Sequence, residues 1–182
     1  MKETDELLSF IRNCMTLNYE TGELRWRSRS SVLLKDRQWN GRFAGKLVGT
    51  LRKDGYLRTG FNFGTGVQYI LLHRIVWAIT TGSWPSYDLD HRNQVKSDNR
   101  ISNLRLSSRP ENIANRTQKN STGYKGVRFD ARYGTYQARI MHKGKAIHLL
   151  STKDIKLAAE AYDRAAVQYY GEFADTNFQR ST

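Results

Sequence analysis

Residues 88–116, DLDHRNQVKSDNRISNLRLSSRPENIANR, decide how this chain is read. Asp90-His91 stands near the start, with Asn103 twelve and Asn112 twenty-one residues after the histidine. Residues 87–92 suit a strand, 93–100 a polar loop and 101–107 a second strand. Pro110 then sits at the head of a short helix, where a missing N–H costs nothing. Two strands and a helix of this size can gather a carboxylate, an imidazole and an amide oxygen around one hard cation. Neighbouring residues of a strand point to opposite faces, so a metal at Asp90 and a base at His91 could flank a phosphate.

On the N-terminal side, Thr4 is placed to cap a short amphipathic helix carrying Leu7, Leu8, Ile11, Cys14 and Met15 at helical spacing. A glycine-punctuated, β-rich stretch follows. Thr21-Gly22 turns into Leu24 and Trp26, which alternate with charged residues, and Lys53-Asp54-Gly55 predicts a hairpin turn before Tyr56-Leu57-Arg58. Residues 69–80, YILLHRIVWAIT, predict a mostly buried helix stopped by Gly82 and Pro85.

On the C-terminal side, residues 117–123 (TQKNSTG) are turn-rich and predict a linker. Strands are expected at 124–132, 135–142 and 145–151, then a helix from Asp154 to Tyr170 with Gly171 as its C-cap. Alternation puts Val127, Phe129, Ala131, Tyr136, Ala138, Ile140, Ile147 and Leu149 on one face of the sheet. The helix should cover them with Leu157, Ala158, Ala161, Tyr162, Ala165 and Tyr169. Arg128, Arg132, Gln137, Arg139 and His148 fall on the other face, as in a β-ribbon that enters a major groove. The bland alternative is a solvated charged face.

Composition supports a polyanionic partner. The net charge is +13 and the pI about 10.0 over 182 residues. Basic residues outnumber acidic ones by 12 to 7 in residues 1–60, 8 to 4 in 61–120 and 10 to 6 in 121–182. The excess is spread along the chain, so double-stranded DNA is the leading partner. Cys14 is the single cysteine, which excludes an intrachain disulfide and a thiolate zinc cluster. No apolar run reaches membrane-spanning length, and MKETDELL is too charged for a secretion signal. A cytoplasmic location without membrane association is expected.

Phosphodiester hydrolysis needs an activated water and charge neutralisation at the phosphate and the departing oxygen. Asp90 and the Asn112 side-chain oxygen are hard donors suited to magnesium or manganese. Asn103 suits tying the loop backbone to the strand. Asp-His pairs and asparagine-rich loops are each common in ordinary turns, and the ordered string is what carries weight. His73-Arg74, Asp90-His91, Asp98-Asn99-Arg100, Asn103-Leu104-Arg105 and Glu111-Asn112 together resemble the HNH endonuclease family, of the phage and intron-encoded homing type, over residues 70–116. That resemblance implies a ββα-metal (His-Me finger) fold. It implies His91 as general base, Asp90 and Asn112 as ligands of a divalent metal, and Asn103 as the structural middle asparagine. The third position is often histidine in the wider family and is Asn112 here. The expected products carry 5′-phosphate and 3′-hydroxyl ends. His73 is expected to support the hairpin by packing.

Residues 122–178 resemble the plant ethylene-response-factor (AP-two type) DNA-binding domain. The resemblance is carried by Tyr124-Lys125-Gly126-Val127-Arg128, Gln137-Ala138-Arg139-Ile140, His148-Leu149, the helix from Ala158 to Ala166, and Thr176-Asn177-Phe178. Tyr136 stands where that family has tryptophan or phenylalanine, and Leu149-Leu150 where it has Leu-Gly. Arg25, Arg27 and Arg105 are expected on DNA as well, since phosphate contacts position without specifying sequence.

The expected class is α+β in four parts. These are a β-rich region (1–68), an HNH nuclease unit (69–116), a linker (117–123), and a three-stranded antiparallel sheet packed on one helix (124–182). The expected function is a site-specific, metal-dependent DNA endonuclease anchored by its C-terminal sheet. The alternative is a non-catalytic DNA-binding regulator. One active-site set per chain makes a nicking monomer the simplest arrangement, with higher oligomers left open.

Overall fold

A computed structural model describes residues 3–30, 32–62, 64, 66–116 and 120–178. The chain is a mixed helix-and-sheet protein with several small sheets, divided into two compact units, Met1–Leu106 and Ser107–Thr182.

In the first unit, α1 (Asp5–Cys14) begins where Thr4 Oγ1 accepts the Leu7 amide at 3.2 Å, with Asp5 and Glu6 favourably placed in the first turn. It buries Leu7, Leu8 and Ile11. β1 (Met15–Leu17) pairs antiparallel with β2 (Leu24–Trp26). The turn between them runs close to the backbone of Asn99 and Arg100. Gly22 has φ +71°, and a Cβ there would collide with both residues, so glycine is required on two counts. α2 (Leu34–Phe43), which the sequence did not announce, buries no residue. It docks through Trp39, edge-on to Trp26 at 5.7 Å and beneath the Arg29 guanidinium at 3.9 Å.

β3 (Thr50–Leu51), β4 (Leu57–Asn62) and β5 (Val67–Leu71) form an antiparallel sheet in that order. The expected turn closes β3 onto β4, with the Gly55 amide donating to the Arg52 carbonyl. β5 runs directly into α3 (Leu72–Thr81), so residues 69–71 of the expected helix are strand. Pairing with Gly60, Thr59 and Arg58 outweighs their helical spacing. Gly82 ends α3 at φ +87° as expected. Leu72, Ile75 and Val76 of α3 join Ile11, Met15, Leu24, Phe61 and Leu104 in one core. β6 (Asp88–His91) and β7 (Leu104–Ser107) make a two-stranded sheet. Residues 101–103, expected in the second strand, form a 3-10 turn instead.

In the second unit, α4 (Arg109–Ala114) starts with a capping box between Ser108 and Glu111, and Pro110 lies in its first turn. β8 (Val127–Asp130), β9 (Thr135–His142) and β10 (Lys145–Thr152) form the expected antiparallel sheet with β9 central. α5 (Ile155–Tyr170) covers it, capped by Asp154 and ended by Gly171. Its alanines allow close approach: Ala158, Ala159, Ala165 and Ala166 are buried, and Tyr162 is buried with them. Leu157, expected in this face, is 48% exposed, and Ala159 and Ala166 take its place. Phe129 and Ala131 are also exposed. Phe129 rests on the Tyr136 ring at 5.1 Å, and neither core cluster reaches it. A bulge between His148 and Leu150 shifts the register, so Leu149 and Leu150 both pack against the core. Gly126, at φ +74°, lies so close to the Tyr162 ring that no Cβ fits. Asn177 clasps Lys125, accepting its amide at 2.6 Å and donating to its carbonyl at 3.1 Å, while Asp163 holds Asn177 and Phe178. Of the expected linker, residues 117–119 lie outside the described residues. Residues 120–123 form a turn in which the Asn120 side chain donates to the carbonyls of Tyr124 and Val127.

Candidate active site

Four-residue β6 concentrates the polar chemistry of the first unit. Alternation would put Asp90 and His91 on opposite faces, but the burial of the strand does not alternate: Leu89, Asp90 and His91 are all buried. A buried polar group must be paired, and each of these has its own partners.

Asp90 is met by Arg105 of β7. Both Nε (2.9 Å) and Nη2 (2.8 Å) donate to Asp90 Oδ2, and both residues are 6% exposed. Arg105 was expected on DNA. It is instead the buried partner of the carboxylate, because β7 turns Leu104 and Arg105 inward together and leaves Leu106 outside. Removing either partner would strand a buried charge, at about 3–5 kcal/mol.

His91 lies in an aromatic nest. Its ring meets His73 edge-on at 5.1 Å and 88°, and Tyr56 packs on both, 5.3 Å from His73 and 5.8 Å from His91. His91 Nε2 is 3.3 Å from the buried Asn99 Oδ1. An amide oxygen only accepts, so Nε2 carries the proton and Nδ1 the lone pair. Burial pushes the His91 pKa down, opposed by the Asn99 hydrogen bond and by Asp90 and Asp98. The lowering favours the neutral imidazole, the form in which a ring nitrogen can accept a proton. His73 is pushed further, to about 3, by burial first and then by His91 and Arg74. Its buried Nδ1 has no hydrogen-bond partner among the described residues.

The loop between the strands is tied down from within. Asn103 donates through Nδ2 to the Asp98 carbonyl at 2.8 Å and accepts the Asn93 amide at 3.0 Å, the loop-bracing geometry its position suggested. Asp98 takes two bonds from Arg100, which holds its carboxyl far below the usual carboxylate range. Lys96 Nζ donates to the Asp54 carbonyl at 2.9 Å and lies over the Tyr56 ring at 4.9 Å. Sequence reasoning missed Tyr56 and Lys96, for which the sequence carries no signal. Asn99 lies inside the Asp98-Asn99-Arg100 string, and its place there is the signal that could have marked it.

The first unit thus brings together Asp90, His91, Asn103, Arg105 and His73. Asn112 stands half-buried on α4, in the second unit. Among the described residues no three His, Cys, Asp or Glu side chains gather as a closed metal cage. A hard cation needs few protein oxygens, because water and phosphate can complete its shell. Asp90 fits as one such donor, since a carboxylate offers two oxygens and about four lone-pair positions.

The second unit carries a different surface. Gln137 is its hub: Oε1 accepts from Arg128 Nη2 (3.2 Å) and Arg139 Nη2 (3.0 Å), while Nε2 donates to Asp130 (2.7 Å). Arg128 pairs across the strands with Gln137, and His148 with Arg139, so all four share one face. Arg132 lies beyond the strand, 5.7 Å over the Tyr133 ring. Of the arginines expected on DNA in the first unit, Arg25 bonds the Gly45 carbonyl and Glu23, and Arg27 bonds the Met15 carbonyl.

Residues 71–114 match the family model described as HNH endonuclease. The chain is 30% identical over 122 residues to an uncharacterised HNH endonuclease of Acanthamoeba polyphaga mimivirus, covering 66% of this chain and 64% of that protein. It is 38% identical over 80 residues to APETALA2-like protein 2 of Oryza sativa subsp. indica, covering 42% of this chain and 18% of the relative. With the AP2-like ethylene-responsive transcription factor TOE2 of Arabidopsis thaliana it shares 43% identity over 58 residues, covering 32% of this chain and 12% of that one. The chain therefore spans under a fifth of the plant relatives and just under two thirds of the viral one. Among solved structures it is similar to the HNH homing endonuclease I-HmuI, at 21% identity and a TM-score of 0.43, covering 88% of this chain and 82% of that one. No helix among the described residues is long and apolar enough to cross a membrane.

Proposed function

We propose, from the match of residues 71–114 to the HNH endonuclease family model, that the chain is a site-specific endonuclease of homing type acting on double-stranded DNA. The observation that carries this reading is the pairing, on one short strand, of a buried carboxylate with a buried imidazole whose Nε2 faces the Asn99 amide oxygen, which assigns the lone pair to Nδ1. His91 Nδ1 takes the proton of the attacking water. Asn99 fixes the tautomer, and Asn103 holds the loop in place. Asp90 and Asn112 would hold a divalent cation, magnesium or manganese, which when bound supplies charge neutralisation at the phosphate and the leaving oxygen. Asn112 takes this role from the sequence motif. In this reading residues 69–116 form the catalytic module and 124–182 the DNA anchor. Arg128, Gln137, Arg139 and His148 meet the duplex there, with Arg132 and the N-terminal Arg25 and Arg27 as further phosphate contacts. One site per chain makes a nicking monomer, working where DNA is found inside the cell.

A supercoiled-plasmid assay tests this, with magnesium or manganese and with EDTA. Relaxed circles with metal and none with EDTA are expected. Protein inert on its own gene-flanking DNA across several metals would overturn the assignment. A second reading, a DNA-binding regulator that does not cut, draws on the likeness to plant transcription factors. His91→Ala separates the two, because it should abolish cutting and leave binding intact only if the chain is an enzyme.

A further inference from the structure

The pairing of Asp90 with Arg105 is a curious way to keep a metal ligand. Both side chains are buried, and two guanidinium nitrogens meet one carboxylate oxygen. A lone buried carboxylate would draw in a cation or a proton to offset its charge. Arg105 already offsets it. A divalent ion approaching Asp90 therefore meets a ligand already neutralised and a fixed positive charge beside it, in surroundings where charges are poorly screened. The chain as a whole, at +13, repels cations further. The strongly anionic group that the reaction brings to the site is the DNA phosphate.

We propose that Arg105 is the counter-ion and positioning residue of Asp90, and that it makes divalent-cation binding conditional on bound DNA. The inference rests on reading Asp90 as a cation ligand. Without DNA, Arg105 holds the carboxylate in place and keeps the ion away. With DNA, phosphate oxygens supply the missing negative charge, and the ion is taken up between Asp90 and the substrate. The free protein is then a poor metal binder, and the nuclease assembles only on its duplex.

The test is a manganese titration of the full chain followed by electron paramagnetic resonance. It is run without and with sheared duplex DNA, in the His91→Ala background so that the DNA stays whole, with DNA alone as control. Manganese should bind the DNA-free protein about tenfold or more weakly than the complex. Arg105→Met should raise DNA-free affinity by about tenfold and shrink the DNA dependence, whereas Arg105→Lys, which keeps the charge, should preserve it. If the methionine variant does not fold, Arg105→Gln is read in the same way, because it retains a donor to Asp90 without the charge. Tight manganese binding by the DNA-free protein, or no gain on losing the Arg105 charge, overturns the inference. If manganese binds but Asp90→Asn leaves it unchanged even with DNA, it is the reading of Asp90 as a ligand that fails.

Discussion

The β6–β7 sheet and the C-terminal sheet both display polar side chains from short strands, yet they treat them in opposite ways. In the first, Asp90, His91, Asn99, Asn103 and Arg105 are all buried and held by named partners. In the second, Arg128, Arg139 and His148 stand exposed, with half-buried Gln137 orienting the arginines. Burying a polar group is costly unless its partners are in place, so a buried set is fixed in geometry. An exposed set can adapt to a surface. The contrast matches the proposed function, with chemistry in one region and holding in the other, and each can be broken separately.

The largest effect is expected at His91. His91→Ala should lower the cleavage rate by about 10²–10⁴-fold and leave duplex affinity within about twofold, measured by nicking kinetics and by filter binding. A parallel loss of affinity would erase the division of labour. Gly126→Ala should act on the second unit alone. With φ at +74° and the Tyr162 ring in the way, it should cost about 3 kcal/mol in urea denaturation.

Acid should discriminate between the two regions. His73 has its folded pKa lowered to about 3 from 6.5. The unfolded chain takes up that proton first, so this contribution to stability is complete above pH 6.5 and is lost as pH falls toward 3. The loss between pH 6 and pH 4 is about 2 kcal/mol, read as a falling unfolding midpoint. His73→Phe should flatten the slope. Asn103→Ala removes two hydrogen bonds that brace the loop and should cost about 2 kcal/mol, with cleavage falling alongside. Arg139→Ala is the mildest change. It should weaken duplex binding by about tenfold, reduce the salt slope by about one, and leave the melting midpoint where it was.

How much of this could be read beforehand differs between the regions for the same reason. In the C-terminal sheet the information is local. Alternation and the glycine turns place β9 at 135–142 as predicted, and the alanine period places α5. The errors there, Phe129, Ala131 and Leu157, concern how far the helix reaches over the sheet, which a single strand's pattern does not encode. Around β6 the residues were legible but their partners were not. Arg105 reads as a DNA contact in the sequence because nothing within β7 reveals a carboxylate facing it from fifteen residues earlier. Tyr56 reaches His91 from a hairpin more than thirty residues upstream. α2 was invisible because it buries nothing and so has no apolar stripe to detect.

The Asn177 clasp on Lys125 has a kinetic corollary. It joins positions 52 residues apart, so loop-closure entropy opposes its formation until α5 has been laid across the sheet. The Lys125 amide should accordingly be among the last to gain protection during refolding. Ending the polypeptide before Asn177 would leave that amide without its acceptor and free the closing segment to fray.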